Sequence, residues 1–241
     1  MKRAAAIVLG MGWLLAAGCG TRSYEERLEY TLDQMRYQRR LNENLTEAPK
    51  GRLEQLLIYV RPPKDLAGPT QTFQLTVLEP GKFDLEASFI EQDRQSLHLL
   101  ARVKQPRTET KKAPSPASSV PRGDFISDVI EVVRNAYGAD LELARFKEES
   151  RKTNVFRHAL LDLEAKEVQI YIYGNKNTSH EVALIFEYPK SERNRLNPRI
   201  ALCLESFAVA ERARRAFAGG ETDDLAPDAA GEESGQQPVV F

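Results

Sequence analysis

The sequence predicts an α+β fold, in which an antiparallel sheet is packed by two helices and preceded by an N-terminal stalk helix. Two observations support this prediction. Runs of alternating apolar and polar residues recur between turn signals, a pattern typical of antiparallel strands with one buried face. Apolar residues at helical spacing follow capping residues at two places, Asp124 and Asn197. The 241 residues are enough for one domain or two small ones.

Composition excludes several classes of protein. The chain is 41% hydrophobic and 29% charged, which excludes a wholly disordered chain and a polytopic membrane protein. Its 2 cysteines are too few for a disulfide scaffold or a four-cysteine zinc site. Because the formal net charge is only -1, there is no general attraction to nucleic acid, and we expect no nucleic-acid partner.

Residues 1–18 have the pattern of a secretory signal. Lys2 and Arg3 are basic, and residues 4–17 are apolar or small throughout. This run is shorter than the roughly 20 apolar residues that span a bilayer. It matches the apolar region of a signal peptide, which has roughly 7–15 residues.

The segment Leu14-Leu15-Ala16-Ala17-Gly18-Cys19 resembles the lipobox of bacterial lipoproteins. The sequence departs from that pattern at Ala16, where leucine is the commonest residue. The resemblance implies that Cys19 receives a diacylglyceryl group, that the chain is cleaved before it, and that the new amine is acylated, palmitate being a typical acyl group. The alternatives are an ordinary secretory signal and a single transmembrane anchor.

The resemblance also implies a location. A lipoprotein of this kind lies in the cell envelope, is held on a membrane by its lipid and faces the periplasm. Gly20, rather than Asp, follows the cysteine, which resembles the pattern of Gram-negative lipoproteins exported to the outer membrane. We therefore favour the outer over the inner membrane.

Residues 22–45 have the spacing of a helix, with a thin apolar stripe that includes Tyr24, Leu28, Leu32 and Met35. We expect residues 19–52 to form a lipidated cysteine and a helical spacer. The helix is either a solvated stalk or one that packs on the domain or on a partner helix.

Residues 53–218 are expected to form the α+β domain. Strands are predicted over residues 55–60, 73–77, 83–89, 97–103, 156–163, 168–173 and 181–188. Residues 104–122 contain four prolines and predict a linker or a long mobile loop, in which Lys111-Lys112 is a weak basic spot. Residues 219–241 predict a disordered acidic tail.

Two helices complete the predicted domain. Phe125 to Tyr137 follows Asp124 as a cap and ends before Gly138. A last helix is expected to start at Asn197-Pro198 and to continue to Gly219-Gly220. The order helix, strand meander, helix over residues 124–218 is similar to that of the PsbP-like α/β/α sandwich. That resemblance implies a fold that hosts binding and assembly proteins. We expect residues 54–103 and 124–218 to share one domain, because neither part alone has much core.

The sequence offers no catalytic or metal-binding motif. His98, His158 and His180 have no second ligand at metal spacing, and we expect them at the surface or at strand edges. Glu148-Glu149 is expected in a solvated loop or helix end, and Cys203 in the interior as an inert thiol. We expect no cofactor and no metal.

Tyr171 and Tyr173 share one face of a predicted strand, opposite Ile170 and Ile172. They either pack under a second layer of the domain or form a binding surface.

Three functions fit these patterns. The first is a non-enzymatic, lipid-anchored envelope protein whose α+β domain binds an envelope protein partner or assists assembly. The second is a small-ligand-binding module of the envelope, using the tyrosine face or a pocket. The third, which has the least support, is an envelope hydrolase.

Overall fold

The computed structural model describes residues 19–70, 75, 81–91, 94–104 and 123–219. The predicted signal segment, most of the strand predicted over 73–77 and nearly all of the Pro-rich segment and of the acidic tail lie outside the described residues. The chain divides into two compact units, one ending at Glu43 and one beginning at Asn44. Helix α1, Cys19–Asn44, belongs almost entirely to the first unit. Its role as a stalk stays a prediction.

The second unit begins with two short elements. Helix α2 is Arg52–Gln55, and strand β1 is Ile58–Tyr59. The prediction of a strand over 55–60 is therefore wrong at its start, where Gln55 closes a helical turn. The strand is short because its partner is only two residues long and because Pro62 and Pro63 follow without N–H groups to continue a ladder.

A six-stranded antiparallel sheet forms the centre of this unit. Its strands are β2 (Leu85–Glu91), β3 (Gln95–Val103), β4 (Lys147–Arg151), β5 (Asn154–Asp162), β6 (Lys166–Tyr173) and β7 (His180–Pro189). Their order across the sheet is β2-β3-β7-β6-β5-β4. The meander predicted for the second half is confirmed. Because β3 pairs with β7, the two predicted halves share one sheet.

Strand β4 was not predicted. The sequence indicated a solvated loop or helix end at Glu148-Glu149, whereas the structure pairs Glu149 with Phe156 of β5. This strand is at the edge of the sheet, and its side chains are exposed or half-buried. Its sequence therefore lacks the alternation of apolar and polar residues from which a strand could be predicted. Charged side chains on an edge strand also discourage pairing with other chains.

Helix α3, Phe125–Tyr137, covers one face of the sheet. Val129, Ile130 and Val133 pack with Ile170 and Ile185 in one buried cluster. Full burial of each such side chain stabilises the fold by roughly 1.5–3 kcal/mol. The predicted stop is confirmed, since Gly138 has φ 62°, a left-handed conformation that glycine adopts without strain.

The predicted last helix is two helices. Helix α4 is Arg193–Ser206, strand β8 is Ala208–Val209 and helix α5 is Ala210–Phe217. The chain leaves the helical conformation because Ala208 and Val209 are buried in pairing with β1. The helix also begins earlier than predicted, with Pro198 inside it rather than at its first position.

The second face of the sheet packs against α4 and its C-terminal end. The Phe207 ring lies 5.7 Å from that of Phe156, and Asn197 contacts Gln169 on β6. Phe156 and Gln169 point away from the α3 side, because side chains alternate along each strand. The domain is thus an α+β fold with helices on both faces of an antiparallel sheet, as predicted.

Candidate binding sites

Cys19 is the first residue of α1, and its side chain lies outside the described part of the structure. The helix that follows has an exposed apolar stripe. Tyr24 is 68% exposed, Leu28 47%, Leu32 41% and Met35 64%. Spacings of four, four and three residues place these side chains along one side of the helix. None of the described helices is long and apolar enough to cross a membrane.

The charges of α1 are balanced and partly paired within the helix. Its sequence holds five arginines and five acidic residues. Arg36 lies 2.9 Å from Asp33, and Arg39 lies 2.8 Å from Glu43. A helix that binds an anionic lipid surface is usually rich in Lys and Arg on its polar face, which this helix is not. The polar side of α1 is therefore electrically balanced.

Tyr171 lies in the interior, 3% exposed. Its ring stacks on that of His158 at 4.3 Å and meets the rings of Phe156 and Phe186 edge-on. Its hydroxyl donates a hydrogen bond to Gln169 at 2.8 Å. The ring and the hydroxyl both have partners within the domain.

Tyr173 is half-buried, with its ring 5.2 Å from that of Phe207. Beside Tyr171, a polar network joins the sheet to α4. The amide of Gln169 donates to Asn197 at 3.0 Å, and the Tyr188 hydroxyl donates to Glu167 at 3.0 Å. Tyr171 and Tyr173 therefore pack under a second layer of the domain, which is one of the two interpretations that the sequence offered.

A cleft of about 500 Å³ opens at the end of the sheet where β3 stops and α3 starts. Its walls come from the end of β3, the start of α3, the β6–β7 turn and β7, and include Arg102, Lys104, Asp124, Phe125, Lys176 and Glu181. Clefts of roughly 300–1,000 Å³ are typical of small-molecule sites. The sequence analysis missed this one, because its residues are far apart in the chain and only the pairing of β3 with β7 brings them together.

The Arg102 guanidinium has all of its observed partners within the domain. It donates to the backbone carbonyl of Lys82 at 2.7 Å and to that of Gly123 at 2.9 Å, and it also pairs with Asp128. The guanidinium carbon of Arg102, Cζ, lies 5.5 Å from the centre of the Phe125 ring. Arg102 therefore forms part of the cleft wall and fixes the start of α3 on the sheet.

Glu181 has a different environment. Its side chain is 10% exposed and borders the cleft. Burial is the main cause that raises the pKa of Glu181 above its ordinary value; Lys104 and Arg102 oppose this effect and Asp124 adds to it. A buried carboxylate with a raised pKa in a cleft is a frequent mark of a functional site.

His98 and His180 are buried. The expectation that the histidines lie at the surface or at strand edges is therefore wrong for His98. Its ring nitrogens lie 2.9 Å from Ser88 Oγ and 2.9 Å from Ser96 Oγ. Burial lowers the pKa of His98 to about 4, against an opposing effect of Glu187. The imidazole is therefore neutral at pH 7 and too weak a base to activate a serine efficiently.

His158 and His180 also have structural surroundings. His158 Nδ1 lies 2.9 Å from a Glu149 oxygen, and His180 Nε2 lies 2.9 Å from the Leu56 carbonyl oxygen. Among the described residues, no group of three or more His, Cys, Asp or Glu could hold a metal ion. Cys203 is fully buried, as predicted, and burial raises the pKa of its thiol.

No protein-family model matches the sequence, and no curated protein matches it. Similar solved structures include the cyanobacterial PsbP protein (CyanoP) of Synechocystis sp. PCC 6803, with 10% identity, a TM-score of 0.42, and coverage of 69% of this chain and 93% of that one. The yeast (Saccharomyces cerevisiae) Ran-binding protein Mog1p has 9% identity, a TM-score of 0.38, and coverage of 68% and 96%.

A Bacteroides thetaiotaomicron protein has 9% identity, a TM-score of 0.36 and coverage of 64% of this chain. The chain spans 46% of the length of that protein. Similarity at these levels gives no information about function.

Proposed function

We propose that the chain is a bacterial envelope lipoprotein that is anchored by acyl chains on Cys19, faces the periplasm and binds an envelope protein partner without catalysing a reaction. The lipobox-like segment from Leu14 to Cys19 supports the anchor. One acyl chain binds a bilayer only reversibly, and the two or three that such a cysteine carries make the anchor durable. The outer membrane is favoured by Gly20.

The exposed stripe of α1, formed by Tyr24, Leu28, Leu32 and Met35, is the observation that favours a protein partner. Large apolar side chains along one side of a helix are normally covered. The stripe runs from Tyr24 to Met35, a rise of about 16 Å at about 1.5 Å per residue, which is a length that suits the apolar face of a partner helix. Since the stripe starts five residues after Cys19, the partner would bind close to the bilayer.

The anchor is tested by fractionating cells that express the full chain or its Cys19→Ala variant. We expect Cys19→Ala to lose the mass of the lipid and to leave the membrane fraction. If this variant stays in the membrane, the lipoprotein assignment is wrong and residues 4–17 act as the anchor.

The partner is tested by co-purification after mild detergent extraction of the membrane-anchored protein. We expect a stoichiometric envelope protein with the unaltered chain and its loss with the double variant Leu28→Glu, Leu32→Glu. Tyr30→Glu is the matched control, because Tyr30 is 56% exposed and lies on the opposite side of the helix. If a partner co-purifies with both variants, the stripe is not its binding surface. If no partner co-purifies with the unaltered chain, the proposal of a protein partner is wrong.

A second candidate function is small-ligand binding within the envelope. The cleft bordered by Glu181 and Phe125 favours it, because its volume and its converging charged groups are those of a ligand site. Ligand binding and partner binding use different parts of the chain. Either can therefore be tested with the other site intact.

A further inference from the structure

Three residues of the exposed α1 stripe have the spacing of a coiled-coil seam. Leu28, Leu32 and Met35 are separated by four and three residues, the alternation at which apolar side chains of paired helices meet. All three side chains are at least 41% exposed. The seam that they form therefore suits a second helix, whose own side chains would fill the spaces between them.

The two flanks of this seam carry different side chains. Glu29 and Arg36 lie seven residues apart, and each directly follows a residue of the seam, so both line the same flank. The corresponding positions of the other flank are Thr31 and Gln38, which are uncharged. One flank thus has an acidic residue toward the N-terminus of the helix and a basic residue toward its C-terminus.

Both charged residues of this flank are available to a second molecule. Among the described residues, none forms a hydrogen bond or an ion pair with the Glu29 side chain. Arg36 donates to Asp33 at 2.9 Å through one nitrogen, in a pair whose side chains are 74% and 73% exposed. Because a guanidinium has five N–H groups and an exposed pair contributes little, Arg36 can also donate to another carboxylate.

The order of these charges distinguishes the two directions in which two copies of the seam can face each other. In an antiparallel pair, a two-fold axis across the helices brings each flank against the same flank of the other copy. Glu29 of each copy then faces Arg36 of the other, which gives two opposite-charge contacts. In a parallel pair, the charged flank faces the uncharged one, and Arg39, seven residues after Leu32, lies beside Arg39 of the other copy. The helix is therefore complementary in charge to itself in the antiparallel direction alone.

We propose that the partner helix of the stripe is α1 of a second copy of this chain, in an antiparallel pair with two Glu29–Arg36 contacts. The proposal rests on the proposed function and names the partner at the same surface. Two chains anchored in one bilayer have a high effective concentration, so a short seam is sufficient for association. Because the two Cys19 residues lie at opposite ends of such a pair, the pair would lie along the bilayer surface.

Charge reversal tests this pairing in cells that express two differently tagged copies of the full chain. Brief formaldehyde cross-linking of the intact cells precedes extraction, and the second tag is quantified after purification by the first. Glu29→Arg and Arg36→Glu each place like charges at both contacts when both copies carry the change. We expect either variant to lower the amount of co-purified second tag at least about fivefold.

The mixed pair is the decisive arm of this experiment. One copy with Glu29→Arg and one with Arg36→Glu again form two opposite-charge contacts, and co-purification should return to the level of the unaltered chain. An unrelated partner protein could not produce this rescue, because its own charges do not change. Loss of the Arg36–Asp33 pair within the helix could not produce it either, since that pair stays broken in the mixed pair.

Glu26→Arg is the matched control, because it makes the same change of charge on the opposite side of the helix from the seam. We expect this variant to co-purify with its second copy as the unaltered chain does. An equal loss with Glu26→Arg and Glu29→Arg would contradict a specific contact at the charged flank.

The outcomes separate the second copy from the proposed function. Failure of the mixed pair to restore co-purification, or no effect of either reversal, would overturn the antiparallel pair. A different envelope protein that is lost with Leu28→Glu, Leu32→Glu, while the second tag never co-purifies, would overturn the second copy and leave the proposed function in place. Absence of both the second tag and any other protein would overturn both.

Discussion

The guanidinium of Arg102 on β3 donates to the carboxylate of Asp128 in the first turn of α3. Both side chains are at least nine-tenths buried. Lys82 adds a second cation 3.4 Å from the same carboxylate. This ion pair fixes the start of the helix on the sheet at the point where the cleft opens.

Replacing Arg102 by methionine is expected to destabilise the domain by about 3 kcal/mol, because the change removes one charge of a buried pair together with its hydrogen bonds to Lys82 and Gly123. Asp128 keeps Lys82 as its remaining cation, which limits the cost. Urea denaturation measures the free energy of unfolding. Arg134→Met is the control, since Arg134 pairs with Asp140 at 3.3 Å on the exposed side of the same helix and should cost less than about 1 kcal/mol. Equal costs for the two variants would show that burial of the Arg102 pair has no energetic weight.

The second prediction concerns the pair as a unit. The double variant Arg102→Met, Asp128→Leu should lose less stability than the sum of the two single variants, because neither charge is then left buried alone. A double-mutant cycle by urea denaturation measures this difference, which we expect to be about 1–3 kcal/mol. Strict additivity would mean that the two side chains act independently.

Much of the fold could be predicted from the sequence, because side chains along each strand alternate between the two faces of the sheet, and each face packs against a helical layer. In β6, apolar Val168, Ile170 and Ile172 alternate with a glutamine and two tyrosines, and this pattern predicted both the strand and the side of the sheet on which each residue lies. Strand β4 could not be predicted, since an exposed edge has no apolar face to produce a pattern. The break between α4 and α5 depends on the pairing of Val209 with Ile58, about 150 residues earlier, which local spacing cannot show.

The candidate sites were less predictable than the fold. The stripe of α1 follows from helical spacing, so the sequence contained it. The cleft depends on register, since Arg102 and Glu181 become neighbours only when β3 pairs with β7. For Tyr171 and Tyr173, the alternation of side chains identified the face of the sheet on which they lie. It could not show that α4 and its C-terminal end cover that face.

The third prediction is a dependence of stability on pH that originates at His98. Its pKa falls from an ordinary value of 6.5 to about 4 in the folded protein, mainly because the ring is buried. The unfolded chain therefore binds more protons than the native state between these values, and stability is lost as the pH falls through this range.

The His98 contribution at pH 4 is about 3 kcal/mol relative to pH 7. We expect the unaltered protein to lose that much more stability than His98→Gln over this range, as measured by urea denaturation at each pH. The carboxyl groups titrate in both proteins, so their effects cancel in the difference. Parallel pH profiles for the two proteins would contradict a neutral, buried imidazole.

The fourth prediction separates packing from hydrogen bonding at Tyr171. Tyr171→Phe keeps the ring and removes the hydroxyl that donates to Gln169, so it should cost about 1 kcal/mol. Tyr171→Ala also removes the contacts with His158, Phe156 and Phe186, and should cost about 3–5 kcal/mol. Loss of partner binding by a fully stable Tyr171→Ala protein would instead support the surface interpretation.

The last prediction concerns the reactivity of Cys203. Its thiol is fully buried, and burial raises its pKa, so the reactive thiolate is scarce at pH 8. In the Cys19→Ala chain, Cys203 is the single thiol, because the sequence has 2 cysteines. We expect iodoacetamide to leave the native protein unlabelled over hours and to label it completely in denaturant, with mass spectrometry as the readout. Rapid labelling of the native chain would show that the packing between α4 and the sheet opens frequently.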